Sequence, residues 1–124
     1  MKISLSVPVY NEREALLPLF ENVQRVMRAH YGNDWEIIFV NDGSHDGSEK
    51  LLDDLASKNP EVKVVHFRRN FGQTAAMMAG FDFAQGETII PLDGDGQNDP
   101  DDIPRIVAKL DEGFEVCSGW RKDR

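Results

Sequence analysis

This 124-residue chain has one cysteine, Cys117, and two tryptophans, and no apolar run approaches the ~18 residues that a membrane span requires. A lone cysteine excludes an internal disulfide and fits a reducing compartment. Its setting in the apolar segment "FEVCSG" reads as a buried, inert thiol. Positive charge is also scarce: 14 Lys and Arg stand against 22 Asp and Glu, for a net charge of −8. That balance argues against a nucleic-acid partner, because phosphate backbones need a basic footprint. It suits a protein whose ligand arrives with cations. The opening "MKISLSVPVYNERE" lacks the long apolar centre of a signal peptide. The expectation is a soluble, cytoplasmic, single-domain chain.

What is present is alternation. "ISLSVPV" (residues 3–9), "WEIIFV" (35–40), "VKVVHF" (62–67), "TIIPL" (88–92) and "FEVCS" (114–118) read as strands. Between them lie helical patterns. The first runs from Asn11 to about His30, with Leu16, Phe20, Val23 and Met27 on one face; Asn11 and Glu14 are spaced as a capping box, and Pro18 restarts or bends it. In the second, Asp46 and Glu49 cap a helix carrying Leu51, Leu52 and Leu55. The third, Thr74–Gln85, is rich in small residues and is closed by Gly86. The fourth opens with Asp99 as N-cap and Pro100 at the first helical position, carries Ile103, Ile106, Val107 and Leu110, and ends at Gly113. Strict strand–helix alternation with apolar strands predicts an α/β fold, a mostly parallel sheet with helices on both faces. Ligands of such sheets bind at the carboxyl ends of the strands. "YNE", "NDGS", "RRNFG" and "DGDGQ" should therefore share one edge.

The chemistry concentrates in "LDGDGQNDPDD". Five aspartates fall within Asp93–Asp102, directly after an apolar strand. Asp93 and Asp95, spaced i, i+2, can share one hard divalent cation, and Gln97 can add a neutral oxygen. Asp99, Asp101 and Asp102 are instead explained by the helix N-terminus that follows. An EF-hand loop from Asp93 fails, because Asn98 and Pro104 occupy the positions that need Gly and Glu. No P-loop and no GxGxxG fingerprint occurs. An aspartyl phosphatase also uses Asp-x-Asp after a strand, but Gln97 and the late position count against it. Asp42 in "FVNDGS" reads equally as a turn former or as an acceptor for a nucleobase N–H. His30, His45 and His66 read as structural or solvated positions, and Met77 and Met78 as packing. Arg68, Arg69, Arg121, Lys122 and Arg124 are either solvated charge or phosphate contacts.

Taken together, "VPVYNE", "EIIFVNDGSHDGS", "RRNFGQTAAMMAGFDFAQGE", "LDGDGQNDPDDIP" and "SGWRKDR" resemble family 2 of the glycosyltransferases, and within it the polyprenol-phosphate sugar transferases of the dolichol-phosphate mannose synthase type. The resemblance spans nearly the whole chain. It implies the GT-A fold, a three-layer nucleotide-sugar-binding sandwich, and Mg²⁺ or Mn²⁺ as cofactor. It implies a UDP- or GDP-linked sugar as donor, a polyprenyl phosphate as acceptor, and inverting transfer. By position, Pro8, Tyr10 and Glu12 would line the nucleoside pocket and Asp42 would bond the base. Asn70, Gly72 and Gln73 would border the donor, and Asp93, Asp95 and Gln97 would hold the metal. Arg121 in "GWR" would meet phosphate groups. Glycines 94 and 96 replace the Ala and Leu of the family's usual metal segment. The family continues beyond the point where this chain stops, so the expectation is a donor-binding part truncated before the acceptor-binding region. A full-length protein would work at the cytoplasmic face of the membrane, and an exposed apolar edge would favour a homo-oligomer. The competing reading is a noncatalytic nucleotide-sugar-binding or assembly module.

Overall fold

The structure is a computed structural model and describes residues 3–92 and 99–111. Its elements run β1 (Ile3–Val9), α1 (Arg13–Tyr31), β2 (Trp35–Asn41), α2 (Ser48–Lys58), β3 (Val62–His66), α3 (Gln73–Phe83), β4 (Thr88–Pro91), a 3₁₀ turn (Pro100–Asp102) and α4 (Ile103–Asp111). The four strands form one parallel sheet in the order β3-β2-β1-β4. The expected α/β alternation is what the described chain adopts. The fifth strand "FEVCS", with Cys117 and the helix end at Gly113, lies outside the described residues.

Two cores flank the sheet. Alternate residues of the central strands (Ile3, Leu5, Val7, Ile37 and Phe39) face α1, α2 and α4, which contribute Leu16, Val23, Leu52, Ile103 and Val107. Ile38 and Val40 face the opposite way, onto Ala76 of α3. Both faces of β1 and β2 are buried throughout, the polar Ser4, Ser6, Glu36 and Asn41 included.

α3 explains its own composition. Ala76 and Gly80 are its buried residues, and a methyl at position 80 would overlap Ser6 Oγ of β1. The small residues let the helix backbone lie directly on the sheet. Met78 points the other way and is 61% exposed, so the expected packing role does not hold for it. Gly86 does not close this helix either. The helix ends at Phe83, and Gly86 is small because the chain passes Ser4 there, with a Cβ at 86 standing 2.6 Å from Ser4 Oγ.

Two further expectations are corrected. Pro18 does not interrupt α1, which is one element from Arg13 to Tyr31. Asn11 and Glu14 do not form a capping box. The residue before the helix is Glu12, with no side-chain cap, and Asn11 takes a positive φ of 52° with its side chain committed to another loop.

At the opposite end of the sheet from the candidate site, Glu36 is 1% exposed. Ser4 Oγ and the backbone N–H of Gln85 donate to its Oε2, while Gly86 N–H donates to Ser4 Oγ. Lys63 pairs with Oε1 by charge, without an aligned hydrogen bond to that oxygen. Burial works to raise the Glu36 pKa, but the interaction with Lys63 and the bonds from Ser4 and Gln85 outweigh it, and the net shift is downward.

Candidate functional site: the carboxyl edge of the sheet

The strand order reverses at β1. From β1 the chain steps to β2 and β3 on one side, then returns to place β4 on the other. In open α/β sheets the crevice outside the carboxyl ends at such a point receives the ligand. Pro8 helps to open it. Val9 O accepts from Asp42 N–H on the β2 side, so residues 6 and 8 present their main-chain groups toward β4. Leu92 N–H donates to Ser6 O at 2.9 Å, but Pro8 has no N–H to offer the next rung. Among the described residues the β1–β4 ladder runs to Leu92, immediately before Asp93.

The loops after β1, β2 and β3 are locked to one another. Asn11 N–H donates to Ser44 Oγ at 2.9 Å, and Asn11 Oδ1 accepts from His45 N–H at 2.7 Å. Asp46 reaches both ways. Its Oδ2 accepts from Arg13 N–H, the first residue of α1, at 3.0 Å; its Oδ1 accepts from the N–H (3.1 Å) and hydroxyl (2.6 Å) of Ser48, the first residue of α2. One carboxylate thus serves the N-termini of two helices, where orphan N–H groups and the helix dipoles favour negative charge. Partial burial works to raise its pKa, but the bonds from Ser48 and Arg13 overcome it and hold Asp46 below its ordinary value.

Asp42, 3% exposed, ties the second loop to the third. Its Oδ1 accepts from Phe71 N–H at 2.7 Å, and its Oδ2 from Gly72 N–H and Asn70 Nδ2, both at 3.0 Å. Three of roughly four acceptor positions on that carboxylate are filled. Gly43 has a φ of +76°, and a Cβ there would stand 2.5 Å from Asn70 N, so only glycine admits this approach. Gly72 (φ +104°) precedes α3, and Gln73 opens it, exposed. Arg69 lies over the Phe71 ring at 4.8 Å from its centroid, and Phe67 meets that ring edge-on.

Of the residues singled out in the sequence, Asp42, Asn70 and Gly72 are bonded directly, and Gln73 follows them. Tyr10 N–H donates to Glu12 Oε1 at 3.1 Å, and the Tyr10 residue is 45% exposed. Pro8 is paired in register with Val40, two residues before Asp42. Asp93, Asp95, Gln97 and Arg121 lie outside the described residues. Among the described residues no group of three or more His, Cys, Asp or Glu side chains is placed to hold a metal ion. The sequence reading missed Ser44, and it gave Asn11 and Asp46 only local capping roles. It read His66 only as structural or solvated, and that ring bonds both Asn41 and Asp53. Polar residues just past each strand end were the available signal.

Residues 4–124 match the family profile described as Glycosyl transferase family 2. The chain belongs to glycosyltransferase family 2. Within this family it is 43% identical over 124 residues to the undecaprenyl-phosphate 4-deoxy-4-formamido-L-arabinose transferase of Enterobacter sp. strain 638, covering 99% of this chain and 38% of that protein. The enzyme of the same name from Salmonella newport strain SL254 is also 43% identical, over 125 residues. The chain therefore spans less than two fifths of these relatives. Among solved structures, S. aureus TarS 1-349 in complex with UDP-GlcNAc superposes with a TM-score of 0.76 at 21% identity, over 99% of this chain and 39% of that one. The mannosyltransferase PcManGT from Pyrobaculum calidifontis, in complex with GDP-Man and Mn²⁺, gives a TM-score of 0.68 at 24% identity, over 76% of this chain and 27% of that one. These likenesses establish the GT-A fold. No described helix is long and apolar enough to cross a membrane.

Proposed function

We propose that this chain is the donor-binding portion of a glycosyltransferase that moves a sugar from a nucleoside diphosphate to a polyprenyl phosphate with inversion at the anomeric carbon. The observation that carries the proposal is the interlocked carboxyl edge, built at the point where the strand order reverses and bordered by the end of β4. Pro8, Tyr10 and Glu12 form the nucleoside wall, with the exposed Tyr10 ring available for stacking. Asp42 takes a base N–H on its remaining acceptor position, and Asn70, Gly72 and Gln73 border the donor.

Asp93, Asp95 and Gln97 would hold Mg²⁺ or Mn²⁺. Two carboxylates and an amide oxygen suit a hard cation, and the described chain reaches Asp93 from the carboxyl end of the sheet, beside β1. A cation held there supplies Lewis-acid stabilisation of charge on the departing diphosphate. Arg121 adds a fixed positive charge for phosphate oxygens. In the transfer an acceptor phosphate oxygen forms a bond to the anomeric carbon as the bond to the diphosphate oxygen breaks. The acceptor oxygen is already anionic at neutral pH, so no general base is needed. The relatives' name, undecaprenyl-phosphate 4-deoxy-4-formamido-L-arabinose transferase, supports this acceptor class.

Calorimetric titration with UDP, GDP and their sugars, with and without Mn²⁺, tests the reading on the wild type and Asp95→Ala. Metal-dependent binding of one nucleotide, lost in the variant, is expected. A folded chain that binds none of them overturns it. Nucleotide binding without sugar transfer to a polyprenyl phosphate would identify a noncatalytic module instead.

A further inference from the structure

We infer that His66 is a positioning residue for the donor-site loops, acting as a neutral ring protonated at Nε2 that fixes the amide of Asn41. This rests on the donor-site reading above for its functional meaning, though its geometry stands independently. Ser44 N–H donates to Asn41 Oδ1 at 3.1 Å. A backbone N–H can only donate, so the amide oxygen of Asn41 must face Ser44 and its Nδ2 must face away. Nδ2 lies 3.1 Å from His66 Nδ1 and also can only donate, so Nδ1 must carry a lone pair. The ring proton is then on Nε2, which donates to Asp53 Oδ1 at 2.7 Å.

Asn41 and His66 are register partners on neighbouring strands, so the ring and the amide are set side by side by the sheet itself. The sequence of fixed orientations runs from Asp53 on α2, through His66 and Asn41, to Ser44. From there Ser44 Oγ accepts from Asn11 N–H in the first loop. A proton on Nδ1 would oppose the Asn41 amide N–H and release Ser44 from its turn. His66 touches no ligand in this scheme; it acts through Asn41.

The test uses the full ¹⁵N-labelled chain. Long-range ¹H–¹⁵N correlation should report the Nε2–H tautomer of His66. His66→Ala should speed amide exchange at Ser44 roughly 5-fold, the equivalent of one net hydrogen bond, and weaken affinity for whichever of UDP or GDP binds with Mn²⁺ by a similar factor. His66→Gln should restore both, because its amide oxygen can accept from Asn41 while its nitrogen donates to Asp53. A wild-type Nδ1–H tautomer, or wild-type exchange at Ser44 in His66→Ala, overturns the inference. Should His66→Ala not fold, the wild-type tautomer and the exchange rate in His66→Gln decide it. Absence of nucleotide binding by the wild type would sink the donor-site reading while leaving the tautomer and exchange results to judge His66.

Discussion

Gly80 of α3 lies so close to Ser6 of β1 that no side chain fits between them, and the Ser6 hydroxyl, fully buried, has no hydrogen-bond partner among the described residues. Gly80→Ala should destabilise the fold by about 1–3 kcal/mol through overpacking. Ser6→Ala should cost little, because it removes a buried hydroxyl that has no bond to lose. The double variant should therefore recover part of the Gly80→Ala loss. Urea denaturation of the four proteins of this cycle measures the coupling, and strict additivity would show that the helix and strand do not meet as described.

Asp46 serves two helices, so its removal should cost more than the loss of one cap. Asp46→Ala is expected to lower stability by about 2 kcal/mol, the upper end for a single N-cap. Asp46→Asn keeps an acceptor oxygen but not the charge and should fall between. Amide exchange at Arg13 and Ser48 should rise together in the alanine variant, and a change confined to one helix would refute the shared cap.

Asp42→Ala leaves the N–H groups of Phe71 and Gly72 without their acceptor, at a cost of about 1–3 kcal/mol for each amide left buried. Faster exchange at both amides and weaker nucleotide binding are expected. Gly43→Ala should be worse, because the obstacle is backbone at residues 69 and 70 and the φ is positive. A Gly43→Ala protein as stable as the wild type would mean that the second and third loops are not in contact.

Glu36 and Asp46 both have folded-state pKa values below their ordinary 4.5 and 3.8. A depressed carboxylate contributes stability that is fully present above the unfolded-state value and is lost as pH falls through the folded-state value. Thermal stability should accordingly hold from neutral pH to about 5 and decline below it. Glu36→Gln, which cannot be deprotonated, should be less stable at neutral pH and flatter in acid. A variant curve parallel to the wild type below pH 5 would remove Glu36 as a cause.

Much of the fold was legible because periodicity and burial agree in a sheet covered on both faces. Strands such as Trp35–Asn41 are buried along their whole length and mostly apolar, and helices such as α1 keep one stripe. The misread features were local rules overruled by distant partners. Asn11 and Glu14 have capping-box spacing, but Asn11 is drawn instead to Ser44 and His45 across the neighbouring loop. Gly86 looks like a helix stop and is small because Ser4, 82 residues away, stands against it.

The candidate site divides in the same way. By itself the sequence determined which residue types follow each strand, and strand–helix alternation was enough to send those after β1, β2 and β3 to one edge. It also placed two carboxylates, Asp93 and Asp95, directly after the fourth strand. Only the tertiary structure decided what those edge residues do to one another: that Asp42 holds the next loop, that Asp46 serves two helices, and that His66 sets the amide of Asn41. Those roles depend on hydrogen bonds that reach as far as 33 residues along the chain, whose partners are chosen by strand order and register, and no local pattern in a chain encodes either.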